Sequence, residues 1–145
     1  MSDAPRVGLV LVSHSERLAE GVAELAAQLG GNDVPIAAAG GTDDGGLGTS
    51  IEKIERAIRE ADRGAGVLLL ADLGSAVLTI KALLDEFGDD ADGAEAERPS
   101  SGTRVVLADA PLVEGAVAAV VTAAAGADLD AVLASAEEAR SYRKL

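Results

Sequence analysis

Short apolar runs alternate along the chain with segments in which apolar side chains recur every three or four residues. The run of Val and Leu at residues 6–12 is typical of a strand buried on both faces of a sheet. Similar runs occur at residues 34–39, 67–71 and 104–108. Because strands that alternate with helices form parallel sheets, the pattern predicts an α/β fold. We expect an open, mainly parallel, doubly wound sheet of about four strands with helices on both faces.

The helices are predicted from apolar stripes, which are typical of a helix face turned to the core. Ser50 and Asp128 are expected to cap two of them, because each supplies a side-chain oxygen to free N–H groups. Pro35 indicates a strand start or an edge strand, and Pro111 indicates the first turn of a helix. The stripes are Leu18, Val22, Leu25 and Leu29; Ile51, Ile54, Ile58 and Ala61; Val77, Ile80, Leu83 and Leu84; and Val113, Val117, Val120 and Val121.

The length of 145 residues favours one domain, residues 1–145, with enough chain to bury a core. Its one unusual segment is the acidic, low-complexity stretch at residues 85–102. Such a composition cannot bury enough apolar surface to fold by itself. We therefore expect a solvated loop there, disordered over residues 88–102.

Composition excludes several classes of function. Tyr142 and Phe87 are the only aromatic residues, so stacking on bases or on a flavin is disfavoured. The net charge of −13 repels nucleic acid, which is not expected as a partner. The chain has no cysteine, and it shows neither a signal peptide nor an apolar run long enough for a bilayer. These features predict a cytoplasmic protein without disulfides and without a membrane partner.

The candidate chemistry centres on His14, the only histidine of the sequence, which follows the first predicted strand. In an open parallel sheet, ligands bind at the carboxyl ends of the strands. Because the chain has no cysteine, this imidazole is its best nucleophile. We therefore expect transient covalent chemistry, namely phosphorylation, at His14.

A phosphorylatable histidine needs an acceptor that fixes its tautomer and an environment that binds phosphoryl oxygens. Asp72 ends the third strand and is the candidate to orient the ring. Ser15 and Gly74 begin helices whose N–H groups suit an anion, and Ser75 and Thr49 offer hydroxyl groups. Each signal taken singly also fits a structural role, such as a helix cap or a turn.

No metal or other cofactor is expected. Asp43 and Asp44 invite a metal site, but their spacing fits no ligand pattern, and a solvated turn is preferred. They lie in the glycine-rich segment at residues 40–49, which is interpreted as a mobile or sharply turning loop. The phosphate-binding loop of nucleotide-binding proteins is also missing from the sequence, so the chain is not expected to bind nucleotide by itself.

Several blocks of sequence together resemble one protein family. They include Val10-Leu11-Val12-Ser13-His14-Ser15, Gly40-Gly41-Thr42-Asp43, Asp72-Leu73-Gly74-Ser75-Ala76 and Ala110-Pro111-Leu112-Val113-Glu114-Gly115. The family is DhaM, the phosphotransferase subunit of the phosphoenolpyruvate-dependent dihydroxyacetone kinase. DhaM is in turn similar to the mannose-type enzyme IIA domain of the bacterial sugar phosphotransferase system. The acidic stretch departs from the family pattern.

The resemblance implies a specific function. His14 would accept a phosphoryl group from phospho-HPr, at Nε2, and pass it to ADP bound on the DhaL subunit. DhaL and DhaK would then phosphorylate dihydroxyacetone. The resemblance also implies a homodimer, and it implies that Asp72 supports the histidine while Ser75 lies near the phosphate.

Three other interpretations remain open. The chain could be a mannose-type enzyme IIA that serves a sugar transporter through the same histidine. It could be a receiver-like regulatory module phosphorylated on Asp72, although Ser13-His14-Ser15 stands where receivers need an acidic pair. It could also be an interaction protein that senses the phosphorylation of a partner and carries no phosphoryl group.

Overall fold

Within residues 4–88 and 103–145, which the computed structural model describes, four parallel strands form a single open sheet. The strand order is β2-β1-β3-β4, so β2 and β4 are the edges. This arrangement confirms the predicted α/β architecture. Pro35 directly precedes β2, as expected of a proline at the start of an edge strand. The strands are β1 (Gly8–Ser13), β2 (Ile36–Gly40), β3 (Val67–Ala71) and β4 (Val105–Leu107).

Helices cover both faces of the sheet. In the described residues, α1, α4 and α5 pack on one face and α2 and α3 on the other. Ser15, Ser50 and Asp128 cap α1, α2 and α5, each accepting a hydrogen bond from a backbone N–H of the first turn. The helices are α1 (Glu16–Gly30), α2 (Ile51–Ala61), α3 (Gly74–Gly88), α4 (Leu112–Ala124) and α5 (Leu129–Glu138), followed by a 3₁₀ turn (Ala139–Ser141).

The acidic stretch begins within a helix. Residues 85–88, which composition assigns to a loop, form the last turn of α3. The rest of the segment predicted to be disordered, residues 89–102, lies outside the described residues. None of the described helices is both long enough and apolar enough to cross a membrane.

The core is divided by the sheet into two layers. Leu9, Leu11 and Leu70 point towards α1, α4 and α5, and Val10 and Leu69 point towards α2 and α3. All five side chains are fully buried. Strands covered on both faces have no polar side to alternate with, which is why the central strands are continuous apolar runs.

The predicted apolar stripes are wrong for the core face of α1. Leu18, Leu25 and Leu29 are 45%, 43% and 52% exposed, and the buried side is formed by Ala19, Val22 and Ala26. Close packing explains this choice of small residues. A Cβ placed on Gly40 would lie 2.4 Å from the Ser15 carbonyl oxygen and 2.9 Å from the Ala19 Cβ, so leucine does not fit between the helix and the sheet. Ile51, Val113 and Val121 are likewise at least 40% exposed.

The closeness of α2 to β1 gives a test of this packing. A Cβ on Gly8 would lie 2.0 Å from the Ala61 carbonyl oxygen, so Gly8→Ala must push the two elements apart. We expect a loss of about 1–3 kcal/mol in the free energy of unfolding, measured by urea denaturation. Gly21→Ala is the matched control, because a Cβ at Gly21 meets nothing within 4 Å. That variant should gain about 0.5–1 kcal/mol from the higher helix propensity of alanine. Equal effects at the two glycines would contradict the packing described.

Candidate active site

The functional side chains meet where β1 and β3 end next to each other. Val12 pairs with Ala71 in the parallel register, and the Asp72 N–H donates to the Val12 carbonyl at 3.1 Å. His14 and Asp72 therefore leave neighbouring strands at the same level. The chain crosses to β2 on one side of β1 and to β3 on the other. In open α/β sheets, this change of direction creates the crevice that binds ligands.

His14 and Asp72 are in direct contact. The Nδ1 atom of His14 lies 2.9 Å from Oδ1 of Asp72. The histidine side chain is 24% exposed and the aspartate side chain 12%. The ring is therefore neither packed in the core nor fully in solvent, and the carboxylate lies beneath it.

The second oxygen of Asp72 is held by two further donors. Oδ2 accepts the Ser13 hydroxyl at 2.8 Å and the His14 backbone N–H at 3.1 Å. Partial burial acts to raise the pKa of Asp72, but the hydrogen bonds from His14 and Ser13 outweigh it and leave the pKa below its ordinary value. The carboxylate is thus charged at neutral pH and fixed in orientation.

Ser13 is a residue of the candidate site that the sequence reasoning missed. It is fully buried at the end of β1, where it also accepts the Ser15 N–H at 3.0 Å. A buried hydroxyl must find partners, and Ser13 finds them in Asp72 and in the first turn of α1. The available signal was a polar residue that continues an apolar strand.

Ser75 contacts the other ring nitrogen of His14. Its hydroxyl lies 2.6 Å from Nε2 of His14, at the start of α3, and the residue is exposed. A carboxylate only accepts hydrogen bonds, so Nδ1 carries the ring proton and Nε2 presents a lone pair to the Ser75 hydroxyl. The unprotonated nitrogen is therefore the one at the surface.

The other predicted phosphate-binding residues surround this group in different ways. Gly74 begins α3 directly before Ser75. Ser15 uses its hydroxyl to cap α1, accepting the Leu18 N–H at 3.2 Å. Thr49 hydrogen-bonds to Thr79 at 3.3 Å rather than to the imidazole. The structure thus brings His14, Asp72 and Ser75 into direct contact.

The glycine-rich loop forms a hydrogen-bonded turn next to the backbone of His14. The Gly48 N–H donates to the His14 carbonyl at 2.9 Å, a contact that sequence reasoning missed because glycine carries no side-chain signal. Asp43 accepts a hydrogen bond from Ser50, and Asp44 accepts one from Thr42. Over the described part of the chain, no three His, Asp or Glu side chains are grouped so that they could hold a metal ion.

Comparison with known families agrees with this fold. The family model EIIA-man, described as the PTS system fructose IIA component, matches residues 8–133. The chain therefore belongs to the EIIA-man family of phosphotransferase-system IIA components.

Within that family, the relatives found are DhaM subunits, which confirms the resemblance seen in the sequence. The chain is 43% identical over 141 residues to the phosphoryl donor subunit DhaM of the PEP-dependent dihydroxyacetone kinase of Escherichia coli, covering 95% of this chain but 28% of that protein. It is 33% identical over 127 residues to the DhaM of dihydroxyacetone kinase 2 of Listeria innocua, covering 88% of this chain and 94% of that protein. Thus it spans less than a third of the E. coli relative and nearly all of the Listeria one.

A solved structure has the same fold over nearly its whole length. The crystal structure of EF1359, a protein of unknown function, is 36% identical, with a TM-score of 0.73 and coverage of 96% of this chain and 97% of that one. A sigma-54 interaction domain protein from Enterococcus faecalis is 17% identical with a TM-score of 0.63 and shares the fold alone.

The lowered pKa of Asp72 predicts how stability responds to acid. A carboxyl whose pKa is lower in the folded state stabilises the protein above its unfolded pKa, and this contribution is lost as the pH falls through the folded pKa. Between about pH 5 and about pH 2, the free energy of unfolding should therefore fall more steeply for the wild type than for Asp72→Asn. Urea denaturation at a series of pH values measures both slopes. Asp130→Asn, which removes one exposed carboxylate from α5, is the control for the change in net charge. Parallel slopes for the wild type and Asp72→Asn would contradict the proposed hydrogen bonding of Asp72.

Proposed function

We propose that this chain is the phosphocarrier subunit of a PEP-dependent dihydroxyacetone kinase and works in the cytoplasm. In this proposal, His14 takes a phosphoryl group from phospho-HPr and passes it to ADP bound on the DhaL subunit, with DhaK in the same complex. The observation that supports it most directly is the imidazole whose Nδ1 is tied to Asp72 while Nε2 faces the exposed Ser75. The relatives add support, since they are named as phosphoryl donor subunits of PEP-dependent dihydroxyacetone kinases.

The loading step follows from this geometry. The Nε2 lone pair attacks phosphorus as the bond from phosphorus to the donor breaks, so that the ring gains positive charge. Asp72 stabilises that charge through Nδ1–H without itself taking the proton. The transition state is loose, so positioning and electrostatics account for most of the rate. In this proposal, the Ser75 hydroxyl releases Nε2 and donates to a phosphoryl oxygen, together with N–H groups at the start of α3.

The unloading step reverses this charge change. An oxygen of the terminal phosphate of ADP attacks phosphorus, the P–N bond breaks and a P–O bond forms, so that ATP is regenerated on the acceptor. The ring returns to its neutral state with the proton still on Nδ1. The sequence has no phosphate-binding loop of its own, so the nucleotide is supplied on the partner subunit.

Two exposed leucines suit the docking of these partners. Leu47 is 81% exposed and precedes Gly48, which holds the His14 carbonyl. Leu73 is 60% exposed and follows Asp72. Exposed apolar side chains next to residues of the site can exclude water when a donor or acceptor covers it. Val77, in the first turn of α3, is half-buried.

The alternatives differ in the phosphorylated residue and in the acceptor. A receiver-like role needs a free carboxylate at Asp72, but both of its oxygens already accept hydrogen bonds from Ser13 and His14. A sugar-specific IIA component would use the same histidine, and the DhaM relatives favour dihydroxyacetone kinase. Discharge of the phosphoprotein by DhaL with ADP, rather than by a sugar-specific IIB protein, separates these two functions.

The first functional prediction concerns the phosphorylated residue. Incubation with phosphoenolpyruvate, enzyme I and HPr should add one phosphoryl group, which mass spectrometry detects as an acid-labile, base-stable modification. His14→Ala should abolish it. An acid-stable, base-labile phosphate would indicate Asp72 instead, and an unmodified wild-type chain would favour the interaction protein.

Asp72→Asn gives a sharper test of the ring tautomer. Two donors face the Oδ2 position, so the amide oxygen should settle there and the amide NH₂ should face Nδ1. The ring proton then moves to Nε2 and blocks the nucleophile. We expect transfer to slow by about 10²-fold or more, with the fold intact by circular dichroism. Transfer at the wild-type rate would contradict the role assigned to Asp72.

We also propose that the chain works as a homodimer, formed through an apolar face on α1 and α4. This face consists of Leu18, Leu25, Leu29, Val113 and Val121, all at least 40% exposed. A chain with a net charge of −13 repels its own copies wherever its surface is acidic. The only charged residue of α4 is Glu114, which pairs with Lys144, so α4 adds little to this repulsion.

The dimer prediction is tested by light scattering after size-exclusion chromatography. The wild type should elute with the mass of a dimer and Leu25→Glu with that of a monomer. Leu78→Glu is the matched control, because Leu78 is an exposed leucine on α3, on the opposite side of the sheet, and this variant should remain a dimer. A monomeric wild type, or a dimer unaffected by Leu25→Glu, would contradict the assignment of this face.

A further inference from the structure

The loop at residues 41–50, between β2 and α2, is folded around one threonine. The Thr42 hydroxyl donates to the Asp44 carboxylate at 2.6 Å and accepts the Gly46 N–H at 2.9 Å. The backbone of Thr42 donates to the Gly46 carbonyl at 3.0 Å and accepts the Gly45 N–H at 3.1 Å. Four hydrogen bonds thus converge on Thr42 and close the loop into a compact turn.

The two ends of this turn hold the backbone on either side of the active-site imidazole. At one end, the Gly41 N–H donates to the Ser13 carbonyl at 3.2 Å, and at the other the Gly48 N–H donates to the His14 carbonyl at 2.9 Å. The loop therefore fixes two consecutive carbonyls of the segment that carries the ring. Its closure at Thr42 sets the distance between these two anchors.

The methyl group of Thr42 contributes to the same anchor. Gly48 has φ = +141°, and a Cβ placed there would lie 2.7 Å from Cγ2 of Thr42. The methyl group therefore supports the backbone of Gly48 closely, in a conformation that only glycine adopts readily. Thr42 thus shapes the turn with its hydroxyl and supports the anchor with its methyl.

The loop is also attached to the helix that carries Ser75. The Thr49 hydroxyl lies 3.3 Å from that of Thr79, which donates to the Ser75 carbonyl at 3.1 Å. Ser50, the cap of α2, donates to Asp43. The same loop consequently contacts the backbone segments of both partners in the Nε2–Ser75 hydrogen bond.

We propose that Thr42 is a positioning residue for phosphoryl transfer at His14, acting through the loop that anchors the His14 carbonyl and the Ser75 helix. The inference rests on the proposed function of His14 as the phosphoryl carrier. Thr42 does not contact the imidazole and takes no part in bond making. Through the loop, Thr42 fixes the position and orientation of the imidazole, so that Nε2 attacks phosphorus in line with the bond that breaks.

Small displacements of the ring are expected to matter. A misplacement of about 1 Å can reduce the rate of an oriented reaction by about 10²-fold. The turn lies at the surface, so water can replace the lost hydrogen bonds when the Thr42 hydroxyl is removed. The variant should therefore remain folded while the position of the ring is relaxed.

Two substitutions at Thr42 distinguish the contribution of the hydroxyl group from that of the methyl group. Thr42→Val keeps the shape and the methyl group but removes the hydroxyl, and Thr42→Ser keeps the hydroxyl. Thr122→Val is the matched control, since Thr122 is a hydrogen-bonded threonine on α4, far along the chain from the site. Circular dichroism and urea denaturation check that each variant is folded.

The first readout is the position of the ring in the unphosphorylated protein. Because the chain has one histidine, ¹H–¹⁵N spectra of the imidazole report on His14 alone. Thr42→Val should shift or broaden the Nε2 resonance. Thr42→Ser, which loses only the methyl group that supports Gly48, should shift it less, and Thr122→Val should keep the wild-type signal. The second readout is the rate of loading from phosphorylated HPr, which should fall by about 10- to 100-fold for Thr42→Val and by a clearly smaller factor for Thr42→Ser, which keeps the hydroxyl.

Wild-type ring signals and a wild-type rate in Thr42→Val would overturn the proposal, as would a Thr42→Ser variant that is as impaired as Thr42→Val. The proposed function fails by a different result, namely a wild-type chain that takes no phosphoryl group. In that case, the ring resonances still show whether Thr42 positions the imidazole.

Discussion

The site depends on one carboxylate. Asp72 accepts three hydrogen bonds, from the Ser13 hydroxyl, the His14 backbone N–H and the His14 ring. These contacts join the ends of β1 and β3, select the ring tautomer and direct the free nitrogen to the surface. The lowered pKa follows from the same contacts, because each of them favours the charged carboxylate over the neutral acid. Structure and reactivity therefore depend on the same group.

The sheet determines where the residues of the site lie relative to one another. The strands that carry His14 and Asp72 are adjacent and parallel, so their carboxyl ends meet without any long loop. Small residues let α1 pack close to β2, and the close contact at Gly40 shows how little space remains. The larger leucines of α1 are displaced outwards, where they form part of the apolar face assigned to the dimer. The same packing thus positions α1 next to the site and leaves exposed the leucines of the proposed dimer face.

The sequence predicts the fold well because apolar runs and helical stripes are strong, local signals. It also predicts the contact between His14, Asp72 and Ser75, because residues that end neighbouring strands must meet. It fails for the core face of α1, because the leucine spacing predicts that the leucines are buried. The short distance between helix and sheet admits only smaller side chains there. It also misses Ser13, whose one signal is a polar residue at the end of an apolar strand. It misses Thr42 and Gly48 as well, because their hydrogen bonds with backbone atoms leave no pattern in the sequence.

The central claim is that Nε2 of His14 carries the phosphoryl group while Asp72 keeps the proton on Nδ1. The most direct measurement is ¹⁵N and ³¹P NMR of the ¹⁵N-histidine-labelled protein after loading from phosphorylated HPr. The account predicts coupling of phosphorus to Nε2 and a retained proton on Nδ1. Phosphorus bound to Nδ1, or a phosphorus resonance without coupling to either ring nitrogen, would contradict it.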